Sequence, residues 1–115
     1  MKTLIVAIML LCSSTAFAET WTATAYCPCS KCCGKSDGIT ASGKCARPNH
    51  TVAINWLPIG TEVTINGKHY IVEDRGAKSI FGSKKNHIKR VDIYFASHRE
   101  ALQFGKRQVE LTIGG

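Results

Sequence analysis

At positions 66 and 67 an Asn-Gly pair separates two runs of alternating polarity, residues 62–65 and 68–74. Both central residues of a type I′ turn need positive φ, which Asn and Gly tolerate best, so the pair is a strong local signal for a two-residue β-hairpin. Such a turn sets Val63 opposite Tyr70 and Thr61 opposite Val72, which gathers one apolar face. A slip of one residue would turn that face to water, so the register is specified. Asp74 then closes the second strand and leads into a loop.

The rest of the chain is built from similarly short pieces. Residues 20–26 alternate Thr with aromatic and small side chains, and residues 51–54 form a short apolar run before the Leu-Pro-Ile-Gly turn at 57–60. In residues 91–95 Val91, Ile93 and Phe95 share one face, with Asp92 and Tyr94 on the other. Ser97 and Glu100 have the spacing of a capping box, and Gly105 ends the helix they start after two turns. Residues 107–113 alternate Val109, Leu111 and Ile113 with charged and polar neighbours, the pattern of a last strand. Residues 27–47 and 75–90 show no periodicity and are expected to be loops, the first rich in Cys, the second in Lys. About six short strands with one short helix leave too little helix for βαβ units, so an all-β closed barrel is predicted.

The first eighteen residues read as an export signal and not as part of the fold. Lys2 precedes an apolar run over residues 4–11, and Ala16-Phe17-Ala18 has the small-x-small pattern of a cleavage site. The run is shorter than the about 20 residues a membrane span needs, so no span is expected after cleavage. Cys12 follows Leu11, which is too large to precede a lipidated cysteine. Removing eighteen of the 115 residues leaves a single 97-residue domain, expected to be a monomer in the periplasm or outside the cell. With Lys2 gone from the 15 Lys and Arg, 14 cations face 8 acids. An exported basic domain meets anionic envelope polymers and lipid head groups, and export argues against nucleic acid.

Five cysteines follow the signal: Cys27, Cys29, Cys32, Cys33 and Cys45. Zinc would call for paired knuckles, of which Cys29–Cys32 supplies one, and a thioredoxin-type redox pair would call for βαβ surroundings. A disulfide framework suits the oxidising exterior best, with its connectivity open and one thiol left over. His50, His69, His87 and His98 stand at no ligand spacing, so neither a metal nor any other cofactor is expected. Among the acids, Asp37 suits a turn beside Gly38, whereas Asp74 and Asp92 sit at or in strands. Asp92, between Val91 and Ile93 and before Tyr94, is placed to be partly desolvated, which raises a carboxyl pKa toward what a general acid needs. A strand aspartate facing solvent, or paired with Arg90 or Arg75, is the competing assignment and stays open on the sequence alone.

Five segments in order resemble the 3D (three-aspartate) domain family: Thr-Ala-Thr-Ala-Tyr-Cys at 22–27, Thr-Ala-Ser-Gly at 40–43, Leu-Pro-Ile-Gly-Thr at 57–61, Val-Glu-Asp-Arg-Gly at 72–76 and Val-Asp-Ile-Tyr at 91–94. The resemblance continues to residue 113 and covers nearly all of residues 19–115. It implies a six-stranded double-psi β-barrel like that of membrane-bound lytic transglycosylase A and the stationary-phase muralytic factors. It further implies an exported enzyme that cleaves peptidoglycan glycan strands, as a lytic transglycosylase or muramidase. By the same resemblance Asp92 is the acid, Asp74 lies near it in a glycan groove, and Tyr26, Thr40, Asn55 and Arg75 contact substrate. Asn55 stands where the family has its third aspartate, and the segment between Asp74 and Asp92 is longer and more basic than the family's. A non-catalytic glycan-binding or expansin-like loosening module is the alternative.

Overall fold

A computed structural model describes residues 18–28 and 39–114. In chain order the elements are β1 (Glu19–Tyr26), β2 (Thr51–Ala53), β3 (Glu62–Ile65), β4 (Lys68–Asp74), α1 (Lys78–Phe81), β5 (Gly82–Ser83), β6 (Asn86–His87), β7 (Arg90–Tyr94), α2 (His98–Phe104) and β8 (Arg107–Ile113). Six of the strands close a mixed barrel in the order β1-β7-β2-β4-β3-β8, and β5 with β6 makes a separate small ribbon. The expected six-stranded all-β barrel is therefore what the chain forms. The β1–β7 and β2–β4 pairs are parallel, and the remaining barrel pairs are antiparallel.

The hairpin adopts the expected register, with Val63 opposite Tyr70 and both Asn66 (φ 49°) and Gly67 (φ 85°) in the left-handed region. The Val72 amide donates to the Thr61 carbonyl at 2.9 Å, which carries the same register one pair beyond β3. Inside the barrel Trp21, Val52, Val63, Val72, Val91 and Leu111 are fully buried and pack together. At β8, Val109 and Leu111 face this core as expected, but Ile113, the last residue of the strand and the partner of buried Val63, is 42% exposed. The Ser97 hydroxyl accepts from the Glu100 amide at 3.2 Å and starts α2, and Gly105 (φ 66°) ends it.

The sequence predicts one helix, and the described residues contain two. The extra helix, α1, and the β5–β6 ribbon both fall in residues 75–90, where a plain loop is expected. No periodicity announces them because α1 is a single turn with no side-chain cap, sustained by tertiary contact. Two glycines are required there: a Cβ on Gly76 would run into the Phe81 ring, and Gly82 has φ 81° with its missing Cβ directed at the Asn86 carbonyl. The ribbon is fastened to the barrel by a ring stack. Trp56 lies 5.4 Å from Trp21 and 4.0 Å from His87, and its indole nitrogen donates to the Ile88 carbonyl at 2.9 Å.

One irregularity decides where β4 presents its last side chains. Val52 pairs with Val72, but the next residue, Ala53, pairs with Asp74, so Glu73 is an extra residue on β4. Such a bulge reverses the inside–outside alternation of the strand, which turns Asp74 to the outer face. Glu73 itself is buried, and the Thr51 hydroxyl donates to its carboxylate at 2.7 Å. His50 Nε2 lies 3.5 Å from the other carboxylate oxygen but 2.6 Å from an Arg47 guanidinium nitrogen. Because Arg47 can only donate, that His50 nitrogen is an acceptor, and Thr51 carries the charge-assisted bond to Glu73. Replacing Thr51 with Val keeps the shape, removes that donor and leaves the Arg47 amide without its 2.9 Å acceptor. The substitution is expected to cost about 2 kcal/mol of stability, read from urea unfolding.

Candidate active site

The strand register aligns four residues across four neighbouring strands. Thr24 pairs with Asp92, Asp92 with Ala53, and Ala53 with Asp74, across β1, β7, β2 and β4. Cross-strand partners project from the same face, here the outer one, and neighbouring strands are about 4.8 Å apart. Asp92 and Asp74 are therefore two strands, or about 10 Å of backbone, apart. Ala53 between them is small and leaves the space above it open. An open trough of about 470 Å³ lies there, lined by Thr24, Tyr26, Ala53, Asp74 and Asp92 with Arg75 and Arg90, and walled by Gly76, Ala77, Ile80 and Phe81 of the basic segment.

Asp92 is half-buried in this trough, and its carboxylate accepts from the Thr24 hydroxyl at 3.0 Å. Its pKa is pushed up to about 6, chiefly by burial; the Thr24 hydrogen bond and the Arg90 charge pull it down, and the negative charge of Asp74 raises it. No ion pair to Asp92 forms among the described residues, unlike the competing assignment from sequence. The carboxyl is thus partly protonated near neutral pH and faces a space into which it can hand its proton.

Asp74 is held quite differently. One oxygen accepts from the Tyr26 hydroxyl at 3.0 Å, and the other from the Ala41 and Arg75 amides at 3.0 and 2.9 Å. Three of its about four acceptor positions are occupied, which leaves one for an incoming group. Burial, and then the charge of Asp74, hold the Tyr26 hydroxyl far above the ordinary tyrosine value, so it remains a donor. Tyr26 also packs edge-on against Tyr94, with ring centroids 5.4 Å apart.

The structure brings Asp92, Asp74, Tyr26 and Arg75 to the trough and places Thr40 and Asn55 elsewhere. Thr40 is buried, and its hydroxyl donates to the Lys44 carbonyl at 2.8 Å. It shapes the turn that delivers the Ala41 amide to Asp74. Asn55 braces the trough wall: its amide nitrogen donates to the Gly76 and Gly82 carbonyls, both at 2.9 Å, and its oxygen accepts from the Gly76 amide at 2.7 Å. Thr24, Ala53, Arg90 and Phe81 are trough residues that sequence reasoning passed over. For Thr24, Ala53 and Arg90 the missing information is the β1–β7–β2 register. Phe81 had a local signal, an aromatic residue within the basic segment.

Among the cysteines, Cys27 is fully buried with its sulfur 3.6 Å from His98 Nδ1, a contact between residues 71 positions apart that spacing does not reveal. Cys45 is exposed, and no disulfide forms among the described residues. Cys29, Cys32 and Cys33 lie outside the described residues, as do residues 1–17 of the expected export signal. Among the described residues no group of three or more His, Cys, Asp or Glu side chains is arranged to hold a metal. No helix among them is long and apolar enough to cross a membrane. No protein-family model and no curated protein matches the chain.

The raised pKa of Asp92 has a consequence for stability. The folded protein binds this proton more tightly than the unfolded chain, where an aspartate titrates near about 3.9. The contribution is therefore fully present below about pH 4 and is lost as pH rises through about 6. Asn at position 92 keeps the acceptor for Thr24 and removes the ionisation. Asp92→Asn is expected to stabilise the fold by about 2 kcal/mol at about pH 7.5 and by little at about pH 4, measured by urea unfolding at both.

Proposed function

We propose that the protein is an exported peptidoglycan-cleaving enzyme, a lytic transglycosylase that works through Asp92. The observation that carries this reading is a single half-dry carboxyl, with its pKa near 6, on the floor of a trough large enough for sugar rings. The resemblance to the three-aspartate domain family supports it independently, and so does the export signal read from the first eighteen residues. A second carboxylate free to activate water is what a simple inverting hydrolase would require. The occupied oxygens of Asp74 favour a mechanism without that step.

In the proposed reaction Asp92, protonated, donates to the oxygen of the glycosidic bond as that oxygen leaves the anomeric carbon of a muramic acid residue. The O6 hydroxyl of the same sugar closes on the anomeric carbon, and its proton passes to the Asp92 carboxylate. One C–O bond breaks, one forms, the carboxyl ends as it began, and no water is consumed. Intramolecular attack supplies a high effective concentration of nucleophile, so one carboxyl suffices. Tyr26, kept protonated and oriented by Asp74, presents a fixed hydroxyl to the trough.

A glycan-binding module without turnover is the second reading, favoured by Asn55 standing in place of a third carboxylate and directing its amide to the backbone. Digestion of purified sacculi separates the two. The expected products are anhydro-muropeptides without new reducing ends, seen by mass spectrometry, and their complete loss in Asp92→Asn. Binding with no product in the wild type would leave the module. In the enzyme, kcat/KM is expected to fall as pH rises through about 6, because the acid must be protonated in the free protein. Asp74→Asn removes a negative charge that raises this pKa and is expected to move that limb to lower pH, read from the pH–rate profile.

A further inference from the structure

Two guanidinium groups flank the trough, and neither makes a direct ion pair among the described residues. Among the described residues Lys89 forms an ion pair with Glu19 and His50 comes within 3.5 Å of Glu73, and neither contact involves Arg75 or Arg90. Arg75 donates to the backbone carbonyls of Ile54 at 2.7 Å and Asp74 at 3.4 Å. Arg90 lies over the Phe81 ring, 5.6 Å from its centroid, and its Nε–H is buried with no hydrogen-bond partner. From Arg75 to Arg90 the chain carries Arg75, Lys78, Lys84, Lys85, Lys89 and Arg90 without one Asp or Glu. Two of these lysines, Lys78 and Lys84, line a recess of about 350 Å³ that shares Arg75 and Gly76 with the trough.

A buried donor without a partner is costly unless a ligand satisfies it, and a planar guanidinium matches a carboxylate in two parallel hydrogen bonds. Arg90 is two residues from Asp92 on the same face of β7, so the two side chains leave the strand about 7 Å apart. That separation suits a substituent on the sugar ring being cleaved. We propose that Arg75 and Arg90 form a carboxylate-binding subsite, continued outward by Lys78 and Lys84, that selects glycan strands carrying a free carboxylate beside the bond to be cut. The inference rests on the glycan-cleaving reading for its ligand class. Two sources offer this chemistry: the lactyl carboxylate of a muramic acid stripped of its stem peptide, and a carboxylate of the stem peptide itself. Neutral amino-sugar polymers offer neither.

The test measures binding in Asp92→Asn, which does not turn substrate over, by calorimetry at about 0.15 M salt, where charges beyond about 8 Å are screened. The probes are peptide-free strands with free lactyl carboxylates, the same strands after methylamidation, peptide-bearing strands, and those strands with their stem carboxylates amidated. At least one charged strand is expected to bind about ten-fold more tightly than its neutral counterpart. The pair that shows the difference names the source. A preference for the peptide-free strands would place an amide hydrolysis that removes stem peptides before this reaction. Adding Arg75→Gln and Arg90→Gln is expected to bring the ratio within about two-fold of unity. Lys68→Gln removes a charge at the opposite end of β4, about 20 Å from Asp74, and is expected to leave the ratio unchanged. Should the double variant fail to fold by circular dichroism, Arg75→Lys and Arg90→Lys keep the charge and lose the planar fork, and each is expected to lower the ratio at least three-fold. Equal binding of charged and neutral strands overturns the subsite, and so does a preference that survives the arginine variants or falls equally in Lys68→Gln. Absence of product from any strand with the wild type sinks the cleavage reading alone, because the binding ratio does not depend on turnover.

Discussion

The bulge at Glu73 is the constraint on which the site depends. Without it, β4 would keep strict alternation after Val72, and Asp74 would point into the apolar barrel, where an ionised carboxylate is prohibitively costly. The extra residue turns Asp74 outward and leaves Glu73 in a pocket where the Thr51 hydroxyl meets its charge. Once Asp74 faces out, its oxygens collect Tyr26 from β1, Ala41 from the preceding turn and the amide of Arg75. A single irregularity in one strand thereby joins three parts of the chain around one end of the trough.

The two aspartates divide their work through solvation and hydrogen bonding. Asp74 takes three hydrogen bonds and acts on its surroundings through position and charge. Asp92 receives one hydrogen bond from Thr24, has lost much of its water to the strands on either side, and keeps its proton to higher pH. This is the usual route by which carboxyls in one site come to serve different roles: burial separates their environments, and a shared field couples them. Ala53, between them, contributes by being small, since a longer side chain there would fill the trough.

The fold was legible in the sequence wherever local rules governed it. The Asn66-Gly67 turn, the Ser97 cap, the Gly105 stop and the alternation of Val109 and Leu111 are each satisfied within a few residues, and each has the structure expected of it. The segment from Arg75 to Arg90 was not legible, because α1 and the β5–β6 ribbon draw their support from elsewhere. Gly76 gives way to Phe81, Asn55 reaches across to two carbonyls, and Trp56 stacks on His87. None of these contacts leaves a periodic trace. In the same way, Thr40 and Asn55 stood in segments where the resemblance expects substrate contacts, yet both turn their polar groups to the backbone and shape the trough from behind.

By itself the sequence determined the short strands, the hairpin register, the excess of positive charge in residues 75–90 and the setting of Asp92 between two apolar neighbours. These follow from side-chain periodicity, turn stereochemistry and composition, which act within a few residues. Only the tertiary structure decided that Thr24, Asp92, Ala53 and Asp74 stand in one row, that Arg90 and Arg75 border it, and that Cys27 meets His98. The reason is that barrel closure sets pairing between strands far apart in the chain. Long-range register is chosen by the packing of the whole core and not by any segment read alone.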